Sequence, residues 1–259
     1  MNTTLIEKFA PVICSLSPAE LACTGALSAD LLMAKDGPIE VYYAPFEYVN
    51  PAARIVIVGI TPGRTQMANA LKEARRQLDA DAEFAQVLSA AKSTAAFSGA
   101  MRPNLIALLD HVGLGRWLGL SSCGALFGSA AHLVQTASAL CNPVFLNGEN
   151  YNGTPNMTRH PLLRAQLRAH FAPMVERMPG AVFVPLGDKV ADALSFLADE
   201  GVIDRCRILD GLPHPSGANS ERIAYFLGRK SRADLSAKTD PAKLDQARAH
   251  LQERVLALA

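Results

Sequence analysis

From Arg54 to Gln66 the sequence runs RIVIVGITPGRTQ. The run Ile-Val-Ile-Val is β-branched, uninterrupted by polar residues and too short for a helix. Such a run suits a strand buried on both faces, as in a parallel sheet. Glycine and proline then break it at GITPG, and Thr65–Leu78, rich in Ala, Leu, Lys and Arg, predicts a helix. Strand, tight turn and helix in that order are the start of a βαβ unit.

Similar runs recur downstream. Pro143–Asn147 (PVFLN) and Ala181–Gly187 (AVFVPLG) read as strands, and Arg205–Leu212 (RCRILDGL) as an edge or late strand. Helical spacing falls between them, at Asn104–Val112, Leu162–Val175 and Lys189–Leu197, and again at Pro241–Leu258. This alternation predicts an α/β fold with a mainly parallel sheet. The first ~50 residues read as a helical lead-in punctuated at Gly37-Pro38, and residues from about 235 to 259 as a helical extension. One domain of 259 residues is the simplest organisation.

The totals narrow the function classes. Net charge is +1, so any nucleic-acid contact must use a local basic patch. No apolar run reaches 18 residues, and MNTTLIEKFAPVICSL lacks the pattern of a signal peptide. Five cysteines without a C-x-x-C pair point to reduced thiols and a cytoplasmic protein. The six histidines form no ligand-spaced pair, so neither a metal nor another cofactor is expected.

In open parallel sheets, ligands bind beyond the carboxyl ends of the strands. The segments found there are GITPGRTQ (Gly59–Gln66), NGENYNG (Asn147–Gly153), GDK (Gly187–Lys189) and GLPHPSGANSER (Gly211–Arg222). The fold would bring them to one edge. GITPG is neither a Walker loop nor G-x-G-x-x-G, and alone it is an ordinary turn before a helix. A lone His between prolines is likewise more often structural than catalytic.

Together these segments resemble the uracil-DNA glycosylase superfamily. GITPG is similar to the family's turn after the first strand, and HPSGAN to its H-P-S loop after the last. Phe97–Leu114 (FSGAMRPNLIALLDHVGL), Val144–Gly153 (VFLNGENYNG) and Val182–Leu194 (VFVPLGDKVADAL) match further family segments in the same order. The resemblance covers about Arg54 to Gly228. It implies a three-layer α/β/α domain around a central, mainly parallel four-stranded sheet. It also implies a monomeric, cofactor-free enzyme that flips uracil out of DNA, hydrolyses its N-glycosidic bond and leaves an abasic site.

The same resemblance assigns roles. Gly59, Ile60, Pro62 and Gly63 would form the pocket turn, and Phe97 the stacking face. Asn147 would read the uracil edge through its amide, with Asn150 and Asn152 close enough to compete. His214 would stabilise negative charge on the leaving uracil, a donor of a kind worth ~3–4 kcal/mol. Ser216, Gly217, Ala218 and Asn219, with Arg64 and Arg222, would contact DNA phosphates.

Three departures matter. Thr61 occupies the position where family members commonly carry Asp or Asn, and a hydroxyl is no useful general base near neutral pH. Catalysis would then rest mostly on leaving-group stabilisation, or on a base from elsewhere such as Glu149 or Asp188. Ala218 is too small to wedge into the vacated base stack. The family's iron–sulfur cysteines have no counterpart. Two other functions fit the same features: a low-turnover sensor of uracil or abasic DNA, and a nucleotide-binding hydrolase on a similar scaffold.

Overall fold

The computed structural model describes residues 4–95 and 101–258. Their strands, in chain order, are β1 (Leu32–Asp36), β2 (Ile39–Tyr42), β3 (Ile55–Gly59), β4 (Val134–Ser138), β5 (Val144–Leu146), β6 (Glu149–Asn150) and β7 (Val182–Pro185). The described chain divides into two compact units, one built from residues 4–49, 60–95 and 138–173, the other from 50–59, 101–137 and 174–258.

The second unit holds a parallel three-stranded sheet in the order β4–β3–β7. Ile55, Val56, Ile57 and Val58 of the central strand are fully buried, as the apolar run predicts. β3 pairs with β7 from Ile55↔Val182 to Val58↔Pro185. The helix Met101–His111 lays Leu105, Leu108 and Leu109 into this core at helical spacing. The helix Pro241–Leu256 starts at Asp240, whose Oδ1 accepts from the Ala242 and Lys243 amides, and adds Leu251 and Val255 to the same core. Each such burial stabilises by about 1.5–3 kcal/mol, so this helix is part of the unit's core as well as its last element.

The first unit holds an antiparallel sheet in the order β1–β2–β5–β6. The helix Leu5–Ser15 opens with a reciprocal cap between Thr4 and Glu7 and buries Ile6, Phe9 and Ile13. Phe9 stacks on Tyr43 with ring centroids 4.2 Å apart. Met67, Leu71 and Ala74 of the helix Arg64–Leu78 fill the same core with Phe145 of β5.

Three expectations change. The lead-in is not all helical, because residues 32–42 form the β1–β2 hairpin, turning at Gly37 with φ +54° just before Pro38. The PVFLN strand, β5, lies in the antiparallel sheet, while the parallel sheet takes β4 instead. The central four-stranded parallel sheet is not present among the described residues. The segment Arg205–Leu212 supplies only a short 3₁₀ turn, Arg205–Arg207, and one parallel bridge, Phe183↔Ile208. Local chemistry explains the shortfall. Arg207 turns its guanidinium onto the Met178 and Ala181 carbonyls, and Gly211 takes φ +110°, outside the strand region, where a Cβ would come within 3.2 Å of that of Ala247.

Candidate active site

In the second unit the His214 loop follows the bridge to β7. His214 is half-buried, between buried Pro213 and Pro215. The Ser216 amide donates to its Nδ1 at 3.3 Å. A ring nitrogen that accepts carries no proton, so the neutral imidazole bears its hydrogen on Nε2. Burial lowers the pKa of His214, which favours this neutral form. The loop is tied from outside by Asn104, whose Nδ2 donates to the Pro215 carbonyl at 3.0 Å, and braced within by Asn219 Nδ2 donating to Ser216 Oγ at 3.2 Å. Gly187, just past β7 at φ +90°, lies beside the ring, and a Cβ there would sit 3.6 Å from that of His214. His214 is thereby placed at the carboxyl end of β7, the end at which its parallel neighbour β3 finishes in Gly59.

Gly217 and Ala218 are exposed within the 3₁₀ turn Gly217–Asn219 that leads into the helix Ser220–Phe226. Arg222 on that helix is exposed and makes two long bonds, to Asn219 Oδ1 (3.4 Å) and to the Lys238 carbonyl (3.3 Å). Lys230 is paired with Glu221 at 2.8 Å. Asp188 opens its helix and forms an exposed ion pair with Lys243, the arrangement of a helix-start charge.

In the first unit, Ile60–Gly63 continue from β3 into the helix Arg64–Leu78. The Ile60 carbonyl accepts from the Leu140 amide. Thr61 Oγ1 donates its one proton to the Asn142 carbonyl at 3.0 Å and accepts from the Val144 amide at 3.1 Å. The hydroxyl is therefore a bridge between the turn and β5, with a single lone pair left for a water. Pro62 is buried. The Gly63 and Arg64 amides already donate to Gln66 Oε1 and Asn150 Oδ1, both at 2.9 Å, so the helix start offers fewer free donors than GITPG alone suggests.

Arg64 does not project as a free phosphate ligand. Its guanidinium donates to the carbonyls of Cys23 (3.2 Å), Gly25 (2.9 Å) and Gly148 (2.7 Å) and lies over the Phe145 ring. Asn147 and Gly148, at φ +52° and +77°, form the two-residue turn of the β5–β6 hairpin, with Leu146 opposite Glu149. The Asn150 and Asn152 side-chain oxygens are engaged by the Arg64 and Thr154 amides. Among these three asparagines, Asn147 is the one whose exposed side-chain amide has no hydrogen-bond partner. Glu149 is exposed on β6. Phe97 lies outside the described residues.

Some groups near the turn have no motif. Between Leu140 and Asn142 sits Cys141, whose thiol burial pushes up to about 11. It interacts electrostatically with Lys92, which burial brings down to about 8, and with Glu47, which burial raises to about 7. Tyr43 donates to Glu47 Oε1 at 2.9 Å, and Lys92 Nζ to the Phe46 carbonyl at 3.2 Å, while Glu47 Oε2 is buried without a hydrogen-bond partner. Sequence reasoning missed these, and also Asn104. The sequence places Gly187 in the strand-end segment GDK, without the contact with His214 that the structure gives it.

Among the described residues no three His, Cys, Asp or Glu side chains are grouped to hold a metal, and no helix is long and apolar enough to cross a membrane. No protein-family model matches the chain, and no solved structure does. Over 248 residues the chain is 32% identical to the uncharacterized protein YoxB of Bacillus subtilis (strain 168), covering 95% of this chain and 96% of that one. The chain thus belongs to the same family as YoxB.

Proposed function

We propose that the protein is a DNA glycosylase that flips uracil from DNA, hydrolyses its N-glycosidic bond and leaves an abasic site. The observation that carries this reading is the His214 loop. A neutral imidazole with Nδ1 already engaged has one group to offer, the Nε2 hydrogen, and a fixed donor suits the negative charge that develops on uracil O2 as the bond breaks. The Gly187 backbone packs against the His214 side chain, and the exposed turn at Gly217 and Ala218 with Arg222 suits a phosphate.

In this reading Asn147 pairs with the uracil edge, its amide accepting from N3–H and donating to O4. Cytosine presents the opposite pattern and is rejected. Thr61 holds the pocket turn on β5 and can accept one hydrogen bond from the attacking water. Gly59, Ile60, Pro62 and Gly63 wall the pocket, and the resemblance to the glycosylase superfamily gives Phe97 the stacking role. The enzyme would act as a cytoplasmic monomer without a cofactor. The engagement of the Thr61 hydroxyl favours one second reading, a slow enzyme that works mainly as a sensor of uracil or abasic DNA.

A single-turnover assay on an oligonucleotide with one deoxyuridine, followed by alkaline scission, tests this. Wild type is expected to cut, and His214→Ala to slow excision by about 10²–10³-fold. Tight binding of the same oligonucleotide without scission would select the sensor. Neither binding nor scission would reject the family function.

A further inference from the structure

The second unit contains a half-open cavity of ≈ 650 Å³ that the glycosylase reading does not use. Its walls include Arg54, Arg116, Trp117, Val255, Leu256 and Leu258. Arg54 precedes β3, so the cavity lies at the amino end of the parallel sheet. His214 and Gly187 are at the carboxyl end. A five-residue strand separates the two ends by about 15 Å, which makes this a distinct site.

The wall residues are an unusual set. Arg54 lays its guanidinium over the Trp117 ring, 4.5 Å from the centroid, and has no ion-pair or hydrogen-bond partner for its side chain. Arg116 is exposed and equally unpaired. Asp110 does not neutralise them by direct contact, because its two oxygens are held by Ser122 Oγ at 2.7 Å and the Cys123 amide at 2.6 Å. Trp117 is fixed by donating from Nε1 to the Leu258 carbonyl at 3.2 Å. Leu256 is 69% exposed, the most open large hydrophobic residue among the described residues.

Two free guanidinium groups favour a planar or tetrahedral oxyanion, which each can grip with two parallel N–H bonds. The apolar remainder of the wall favours a flat, poorly hydrated body attached to that anion. The volume is in the range of small-molecule sites. We propose that this cavity binds an organic anion of mononucleotide size, a phosphate carried on a flat ring, gripped by Arg54 and Arg116 and packed against Trp117 and Leu256. The proposal stands independently of the glycosylase reading.

Trp117 is the chain's one tryptophan, so its fluorescence reports on this wall alone. The full-length protein is titrated with adenosine monophosphate, with inorganic phosphate, and with single-stranded oligothymidylate. The expected result is a saturable change in Trp117 emission with the mononucleotide, weakened about tenfold or more in Arg116→Ala and in Arg54→Gln, while excision by the same variants is unchanged. Arg116 is exposed and unpaired, so its removal leaves the fold intact, and circular dichroism of both variants verifies this. No emission change with the mononucleotide up to millimolar concentration overturns the proposal, as does unaltered affinity in Arg116→Ala. Equal affinity for inorganic phosphate overturns the ring-binding part. A response to the oligonucleotide alone would assign the phosphate to a DNA strand and overturn the small-molecule assignment.

Discussion

Asn147 carries two demands at once. Its backbone sits at φ +52°, where an L residue other than Gly or Asn is strained, and its side-chain amide is left without a partner. The hairpin explains an asparagine there by itself, so substitution must separate turn from amide. Asn147→Gly keeps the backbone conformation and deletes only the side chain. Stability is expected to stay within about 0.5 kcal/mol of wild type, while preference for uracil over cytosine in the excision assay collapses. Unchanged selectivity would leave Asn147 as a turn residue. His214 was legible in the sequence because two prolines and a run of small residues surround it. Its support was not: Asn104 reaches the Pro215 carbonyl from a helix whose sequence pattern announces only its buried leucines.

At the scale of elements, Thr61 joins the turn Ile60–Gly63 to the start of β5 with two hydrogen bonds through one oxygen. Thr61→Val keeps the shape but leaves a partly buried amide and carbonyl unpaired. It should cost about 1–3 kcal/mol in urea unfolding, with Thr61→Ser close to wild type. A neutral Thr61→Val would mean that water replaces both bonds. β3, β7 and the helices that follow them were readable because full burial and helical spacing leave strong marks: Thr65–Leu78 was expected and Arg64–Leu78 is found. β4 was hidden because VQTAS has no apolar run or apolar–polar alternation: its two buried positions are Gln135 and Ala137. β5 was recognised as a strand but assigned to the wrong sheet, since a three-residue apolar core says nothing of the direction of its partner.

For the whole molecule, buried ionisable groups set how stability follows pH. Burial holds the Glu47 carboxyl at about 7 against an ordinary value of 4.5, so the folded chain keeps a proton that the unfolded chain releases. Its contribution is therefore present in acid and fades as pH rises through about 7. His111, His170 and His214 act in the opposite sense. Burial depresses each, and their contribution, full above about pH 6.5, declines as pH falls below it. Glu47→Gln removes only the first effect. Its urea midpoint should gain on wild type between about pH 5 and pH 8, and a constant difference across that interval would contradict the assignment. Such pairings were invisible in the sequence because Glu47, Lys92 and Cys141 come from distant parts of the chain. The interleaving that brings them together has a further consequence. The described chain passes from one unit to the other after Val49, Gly59, Ala137 and Pro173, and once more between residues 95 and 101. During synthesis, β3 emerges early but cannot pair with β7 until more than a hundred further residues have left the ribosome, and neither unit's fold can close on a nascent fragment that stops before residue 173. A β3 this apolar has no sheet neighbour until β4 emerges about eighty residues later and is covered on both edges only after β7, so elongation time adds to the protein's exposure to aggregation.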